Sequence, residues 1–303
     1  MKGYKSTLKV IEVEEWYDLV FSRPVGYVIA LGASWCRLTP THVSVLSMVS
    51  GVAAGYCFAF QDHLTTVLWG SLLLTIAGLL DSADGILARL TNQSTRLGYI
   101  IDGIVDNVVY LSAYVGGIVY LITTGWGWWV VGLALLSGMS HSIRALIYVL
   151  YKDDCMYFFG DRESAYRPCM DEVNQDKKTG IVDRTTHFFY RDQTQKQWWF
   201  GTRSPEYYKS LQHLKAAKGD AFKRQYKSDF IPMLSAWALV GGGNVHRLLI
   251  IGTSVLGLFQ WFFYISILLN IPTLVIWWIQ RMKDNRFINA LNCDSQNDPV
   301  TVS

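Results

Sequence analysis

Long apolar runs separated by short polar breaks dominate the first half of the chain. Residues 43–60, 64–80, 99–122 and 128–151 are each apolar enough, and long enough at ~1.5 Å rise per residue, to cross a ~30 Å hydrocarbon layer as a helix. Residues 9–22 differ: Val10, Ile11, Val13, Trp16, Leu19 and Val20 alternate with Glu12, Glu14, Glu15 and Asp18. That pattern predicts an amphipathic helix lying on the membrane surface, broken at Arg23-Pro24. Thr39-Pro40 supplies a helix start. Residues 152–228 are polar and rich in both charge signs, with few long apolar runs, and read as a water-exposed insertion containing short helices such as one over 205–217. Residues 248–280 then run without a charged side chain. That stretch exceeds one upright span and falls short of two full ones, and Asn270 and Pro272 predict a break inside it. Residues 230–243 read as a half-buried connector, with a span as the alternative.

Charge placement orders these segments. Lys and Arg gather before Pro24, at Arg89 and Arg96, across 152–228, and at Arg281, Lys283 and Arg286, whereas the connectors near Asp62 and Gly125 carry none. By the positive-inside rule the basic regions face the cytoplasm, which favours an even number of crossings, met by two passes after residue 247. The reading is an all-α integral membrane protein of about six transmembrane helices. Its expected segments are 1–38 (amphipathic and juxtamembrane), 39–151 (transmembrane helices one to four), 152–228 (cytosolic insertion), 229–286 (helices five and six) and 287–303 (cytosolic tail). Composition agrees: 51% of the 303 residues are hydrophobic and 17% charged. The net charge of +3 gives no sign of a nucleic-acid partner. The five cysteines show no paired spacing, so neither a zinc site nor a disulfide framework is expected.

Against this apolar background, the stretch DSADGILARLTNQSTRLGYIIDGIVD at 81–106 carries four carboxylates: Asp81, Asp84, Asp102 and Asp106. Ionised groups beside a membrane are costly and mark function. Asp81 and Asp84 are three apart, and Asp102 and Asp106 four apart, so each pair shares a helix face. Two antiparallel helices joined by a turn at 90–97 bring the pairs together. Hard divalent cations, Mg²⁺ or Mn²⁺, are the natural partners of clustered carboxylate oxygens. Gly85, Ala88 and Gly98 leave room for close approach.

The pattern D-x-x-D-G-x-x-A-R-x8-G-x3-D-x3-D matches at Asp81, Asp84, Gly85, Ala88, Arg89, Gly98, Asp102 and Asp106. On these residues the chain resembles the CDP-alcohol phosphatidyltransferases. The resemblance implies two metal ions on Asp81, Asp84, Asp102 and Asp106, with Asp106 also the general base. It further implies CDP binding by Asp84, Gly85, Ala88, Arg89 and Gly98, CDP-diacylglycerol and a small polar alcohol as substrates in contact with membrane lipid, and a homodimer. Arg89 also has a structural alternative, a salt bridge to an aspartate. The 90–98 loop lacks the His-Gly-Cys pattern associated with choline and ethanolamine phosphotransferases, which favours transfer of phosphatidyl from CDP-diacylglycerol with release of CMP. The stretches RPVGYVIALG, FFYRDQTQKQ and FIPMLSAWALVGGGNVHRLLI resemble phosphatidylinositol-phosphate synthases of Bacteroidetes-type bacteria. That implies a bacterial inner membrane, a cytoplasmic active site and inositol phosphate or inositol as acceptor. A phosphorylated acceptor calls for cationic donors, for which His141, Arg144 and Arg247 are the candidates, with snorkelling at the membrane edge as the alternative. Two other functions stay open. One is transfer of a phospho-headgroup from a CDP-alcohol to diacylglycerol or ceramide. The other is metal or proton transport, which does not require Gly85, Ala88-Arg89 or Gly98.

Overall fold

The computed structural model describes residues 10–93, 96–175 and 181–297; the first nine residues and the last six, where the expected segments begin and end, lie outside the described residues. It is all-α. Helices run over Arg23–Trp35 (α1), Pro40–Phe58 (α2), Leu64–Leu90 (α3), Arg96–Thr123 (α4) and Trp129–Phe158 (α5). Met170–Gln175 (α6), Ile181–Phe200 (α7), Pro205–Gly241 (α8), Gly243–Val255 (α9), Phe259–Leu268 (α10) and Asn270–Asn297 (α11) follow. Among the described residues, six stretches are long and apolar enough to cross a membrane, and the protein is an integral membrane protein. Apolar side chains line outward faces as lipid contact requires: Val45, Val49, Val52 and Tyr56, all on α2, are 44%, 57%, 45% and 70% exposed.

Two sequence expectations change. Arg23-Pro24 does not break the chain. A π-turn over Asp18–Ser22 leads straight into α1, and the Arg23 amide donates to the Asp18 carbonyl. The wider turn relieves the register clash that Pro24, lacking its own N–H, would cause in a regular helix. Nor does the apolar stretch 248–280 hold two spans. A turn at Leu256–Leu258, with Gly257 at φ +68°, ends α9, and the sixth spanning stretch is Phe259–Asn289. Only Gly tolerates that left-handed conformation without cost, so the turn falls there. A shorter interruption at Leu269, beside Asn270, separates α10 from α11. Of the two readings of 230–243, the span holds: residues 230–241 continue α8 and Gly243 opens α9, within a fifth spanning stretch of Pro205–Val255. Gly219, at φ 51° and ψ −122°, kinks α8 in its basic part, and Ser204 caps its start by accepting from the Tyr207 amide at 3.2 Å.

The chain forms two compact units, each built from two segments. The first comprises Met1–His141 and Gly243–Leu268. Here α2 packs on α3 and α4, α1 on α3, and α9 on α3 and α10. Contact between α2 and α4 is backbone-close: a Cβ on Gly116 would meet the Gly55 carbonyl oxygen at 2.1 Å. Small residues at such crossings let helices approach where lipid gives no hydrophobic drive to associate. The core includes Phe58, Leu74, Val109, Phe259, Phe262 and Phe263.

The second unit comprises Ser142–Gly242 and Leu269–Ser303. Its interior joins an aromatic cluster (Phe158, Tyr208, Phe222, Tyr226, Phe230, Phe287) to a buried ionic network. Arg203, 1% exposed, donates to Asp284 Oδ1 at 3.0 and 2.9 Å, to Asp154 Oδ2 at 2.8 Å and to the Tyr226 hydroxyl at 2.7 Å. Arg167 also donates to Asp154, at 3.2 Å, and its guanidinium stacks on Trp198 and Tyr208 at 4.0 and 4.7 Å. Burial opposes the Arg203 charge, but Asp284, Tyr226 and Asp154 hold its pKa well above the ordinary value. Cys36, Cys57, Cys155 and Cys169 are free thiols, and the Cys293 side chain lies outside those described.

Candidate active site

The DSADG stretch occupies the last turns of α3, and IDGIVD the first turns of α4, so both pairs of acids lie toward the helix ends joined by the turn. Asp81, Asp84 and Asp102 converge: one carboxylate oxygen from each lies within 4.8 Å of the others. Asp81 and Asp102 approach within hydrogen-bonding reach of each other. Asp106 is not in that tight group. It sits one turn further along α4, close enough to Asp81 and Asp84 for their charges to act on it. Three oxygen donors of one sign, partly or fully buried, are the donor set a hard divalent cation takes; without one, the charges repel at this separation.

Several side chains that the sequence reading did not single out frame the cluster. Ser44, on the second turn of α2, places its hydroxyl on Asp84 Oδ2. Thr39 and His42 cap that helix reciprocally, fixing where Ser44 points. Arg23, on α1, reaches Ser82 Oγ at 3.4 Å and pairs with Glu14 at 3.0 Å. Burial weighs against the Arg23 charge, yet Glu14 and Asp18 raise its pKa above the ordinary value. No local motif marked these residues, because they come from helices distant in sequence; only the polar residues punctuating the apolar period of 9–22 were visible beforehand.

The remaining expected residues fall as follows. Gly85 lies partly open, and a Cβ there would meet Arg89 Nη1 at 3.4 Å, so the Arg89 side chain folds back along α3. Its charge acts on Asp84. Ala88 and Gly98 are half-buried on the facing ends of α3 and α4. Arg247, on α9, lies against α3: a Cβ on Gly78 would come within 2.1 Å of its Nη1. Its charge reaches Asp81 and Asp106. Arg247 Nε is buried with no hydrogen-bond partner among the described residues. His141 stacks on His246, ring centroids 3.4 Å apart and planes 10° apart, and Tyr110 meets both rings edge-on. Asp102, Asp106, Tyr110 and Tyr114 follow one face of α4, so the carboxylates and this aromatic clamp share a stripe. Arg144 belongs to the second unit, 1% exposed, where it donates to the Val240 carbonyl at 3.0 Å and to Asn270 Oδ1 at 2.9 Å.

Comparison with known proteins agrees with the motif. Residues 37–154 match the family model of the CDP-alcohol phosphatidyltransferases. A putative cardiolipin synthase of Mycobacterium tuberculosis is 41% identical over 69 residues, 23% of this chain and 31% of that protein. A phosphatidylinositol phosphate synthase of Mycobacteroides abscessus is 29% identical over 89 residues, 29% and 39% of the respective chains. A CDP-diacylglycerol–inositol 3-phosphatidyltransferase of Candida albicans is 30% identical over 108 residues, 35% and 45%. The chain thus matches less than half the length of each of these relatives.

Proposed function

The chain carries a CDP-alcohol phosphatidyltransferase domain at residues 37–154, and from it we propose that the whole protein is a membrane enzyme moving phosphatidyl from CDP-diacylglycerol to a polar alcohol, releasing CMP. The observation that carries this reading is the convergence of Asp81, Asp84 and Asp102 within 4.8 Å beside Asp106, with Gly85, Ala88 and Gly98 keeping the surroundings open. Two of the relatives named above are inositol-lipid enzymes, which supports inositol phosphate or inositol as the acceptor.

Asp81, Asp84 and Asp102 are the residues that would hold Mg²⁺ or Mn²⁺, with Asp106 as a further ligand. A bound divalent ion supplies Lewis acidity that offsets pyrophosphate charge. Asp106 accepts the proton of the acceptor hydroxyl as its oxygen attacks phosphorus, and the bond to the CMP oxygen breaks with its electron pair. Ser44 fixes the Asp84 carboxylate. Arg89, Gly85 and Gly98 border the nucleotide moiety. Arg247, with a buried donor left over, and His141 meet the acceptor. Arg144 was the third acceptor candidate, but its bonds to Val240 and Asn270 support a framework role instead. The positive-inside pattern supports a cytoplasmic active site; a bacterial inner membrane and a homodimer are what the resemblance implies and belong to the same proposal.

The test is CMP release by detergent-purified protein with Mn²⁺ and CDP-diacylglycerol, offered inositol 1-phosphate, inositol, serine or glycerol 3-phosphate. Release with an inositol acceptor is expected. Release only with serine or glycerol 3-phosphate would refute the acceptor. Silence with the whole panel, followed by turnover of a CDP-alcohol with diacylglycerol, would reverse the direction of transfer.

A further inference from the structure

Asn244 is the second residue of α9, and both ends of its amide are engaged. Its Nδ2 donates to Glu15 Oε2 and to Asp18 Oδ1, each at 2.9 Å. Its Oδ1 accepts from Arg247 Nη1 at 3.3 Å. Arg247 in turn lies along Gly78 and acts on Asp81 and Asp106. A continuous polar path therefore runs from two acids of the N-terminal segment, through one amide, to the guanidinium beside the metal-binding carboxylates. All of it lies in the first compact unit.

The chemistry of each link is specific. Among neutral side chains, an amide donates from one end and accepts at the other in a fixed plane. Two carboxylates on the donor end decide which way the amide faces, since reversal would set its oxygen against both acids. The Oδ1 is thereby turned to Arg247. The tether holds Nη1, while Nε stays buried with no partner among the described residues. Tyr110 fixes the start of the same helix by donating to the Gly243 carbonyl at 2.9 Å.

We propose that Asn244 is a positioning residue, held by Glu15 and Asp18, that orients Arg247 toward the phosphate of the acceptor. The N-terminal segment is then part of the reaction machinery as well as a membrane-surface element. This inference rests on the acceptor role proposed above for Arg247.

A double-mutant cycle on the full-length protein tests it. Asn244→Ala should raise the KM for inositol 1-phosphate about tenfold, with kcat and the KM for CDP-diacylglycerol changed far less. Arg247→Ala should raise the same KM at least as much, and the double variant should be no worse than Arg247→Ala alone. Additive effects, or a uniform fall in kcat, would overturn the relay. Mn²⁺ affinity measured by electron paramagnetic resonance gives a readout that needs no turnover. Removing the Arg247 charge from beside Asp81 and Asp106 should tighten Mn²⁺ binding severalfold, Asn244→Ala should shift it in the same direction, and the double variant should add nothing. If the wild type releases no CMP with any acceptor, the functional reading fails, while the Mn²⁺ cycle still decides the relay. Should Asn244→Ala not fold, the Glu15→Gln, Asp18→Asn pair enters the same cycle with Arg247→Ala, and additivity there would equally sink the proposal.

Discussion

Asp106 differs from the other three acids in position, which suits it to the proton-accepting role proposed above. Asp81, Asp84 and Asp102 offer oxygens within 4.8 Å of one another, while Asp106 stands a turn further along α4 and outside that group. A carboxylate at the edge of a metal site, at most a peripheral ligand, would be the one left to take a proton. Asp106→Asn keeps the shape and a carbonyl oxygen but removes the basic site. It should lower kcat by about 10²–10⁴-fold, the usual contribution of a general base, and leave Mn²⁺ affinity within a few fold of wild type. A loss of Mn²⁺ binding as severe as in Asp81→Ala would instead make Asp106 a principal ligand. The aspartates themselves were legible in the sequence, because their spacing on two helices dictates which face they share. Ser44, Glu14, Arg23 and Asn244 were not, since each reaches the site through tertiary packing. A lone serine or asparagine in an apolar run carries no local mark of where it will point. Arg144 shows the converse: its position three residues after His141 made it an acceptor candidate, yet its bonds run to Val240 and Asn270.

At the scale of elements, the first four spanning helices could be read from hydropathy because each is long and bounded by polar breaks. The elements that escaped are those set by single backbone positions: the π-turn that carries the chain past Pro24, and the turn at Gly257 that divides the apolar stretch 248–280. Periodicity does not register either. What brings α4 alongside α2 is how near the two backbones come. Gly55 and Gly116 decide this, since a Cβ on Gly116 would stand 2.1 Å from the Gly55 carbonyl oxygen. No rotamer relieves a clash between a Cβ and a backbone atom, so the helices must part. Gly116→Val should therefore lower stability by about 1–3 kcal/mol, the usual range for overpacking. It should also weaken Mn²⁺ binding, although the residue lies far along α4 from Asp102. The thermal midpoint and the Mn²⁺ titration of the detergent-solubilised variant check this together; unchanged values in both would mean that the α2–α4 contact does not set the site.

At the scale of the whole molecule, the two units are held by different physics, and both are stitched from segments far apart in sequence. Reading contiguous stretches therefore exposed the polarity of 152–228 but hid its interior. Charges that looked solvated include Asp154, Arg167 and Arg203, which are buried together with Asp284 from the far end of the chain. Buried ion pairs gain little over an apolar core, but breaking one partner out leaves charges stranded in a low-dielectric interior. Arg203 is the member with most at stake, since its guanidinium touches Asp154, Asp284 and Tyr226 at once. Arg203→Ala should destabilise the second unit by about 3–5 kcal/mol. Arg203→Lys should recover only part of that, because one ammonium cannot reproduce the planar fork that reaches two carboxylates. The exposed pair Lys196–Asp192 supplies the contrast: Lys196→Ala should cost less than about 1 kcal/mol and vary with salt, as surface pairs do. Thermal unfolding with limited proteolysis, mapped by mass spectrometry, reads both effects. New cleavage within residues 142–242 in Arg203→Ala, and none in Lys196→Ala, is the expected pattern. Equal resistance in the two variants would show that the ionic network does not hold this unit together.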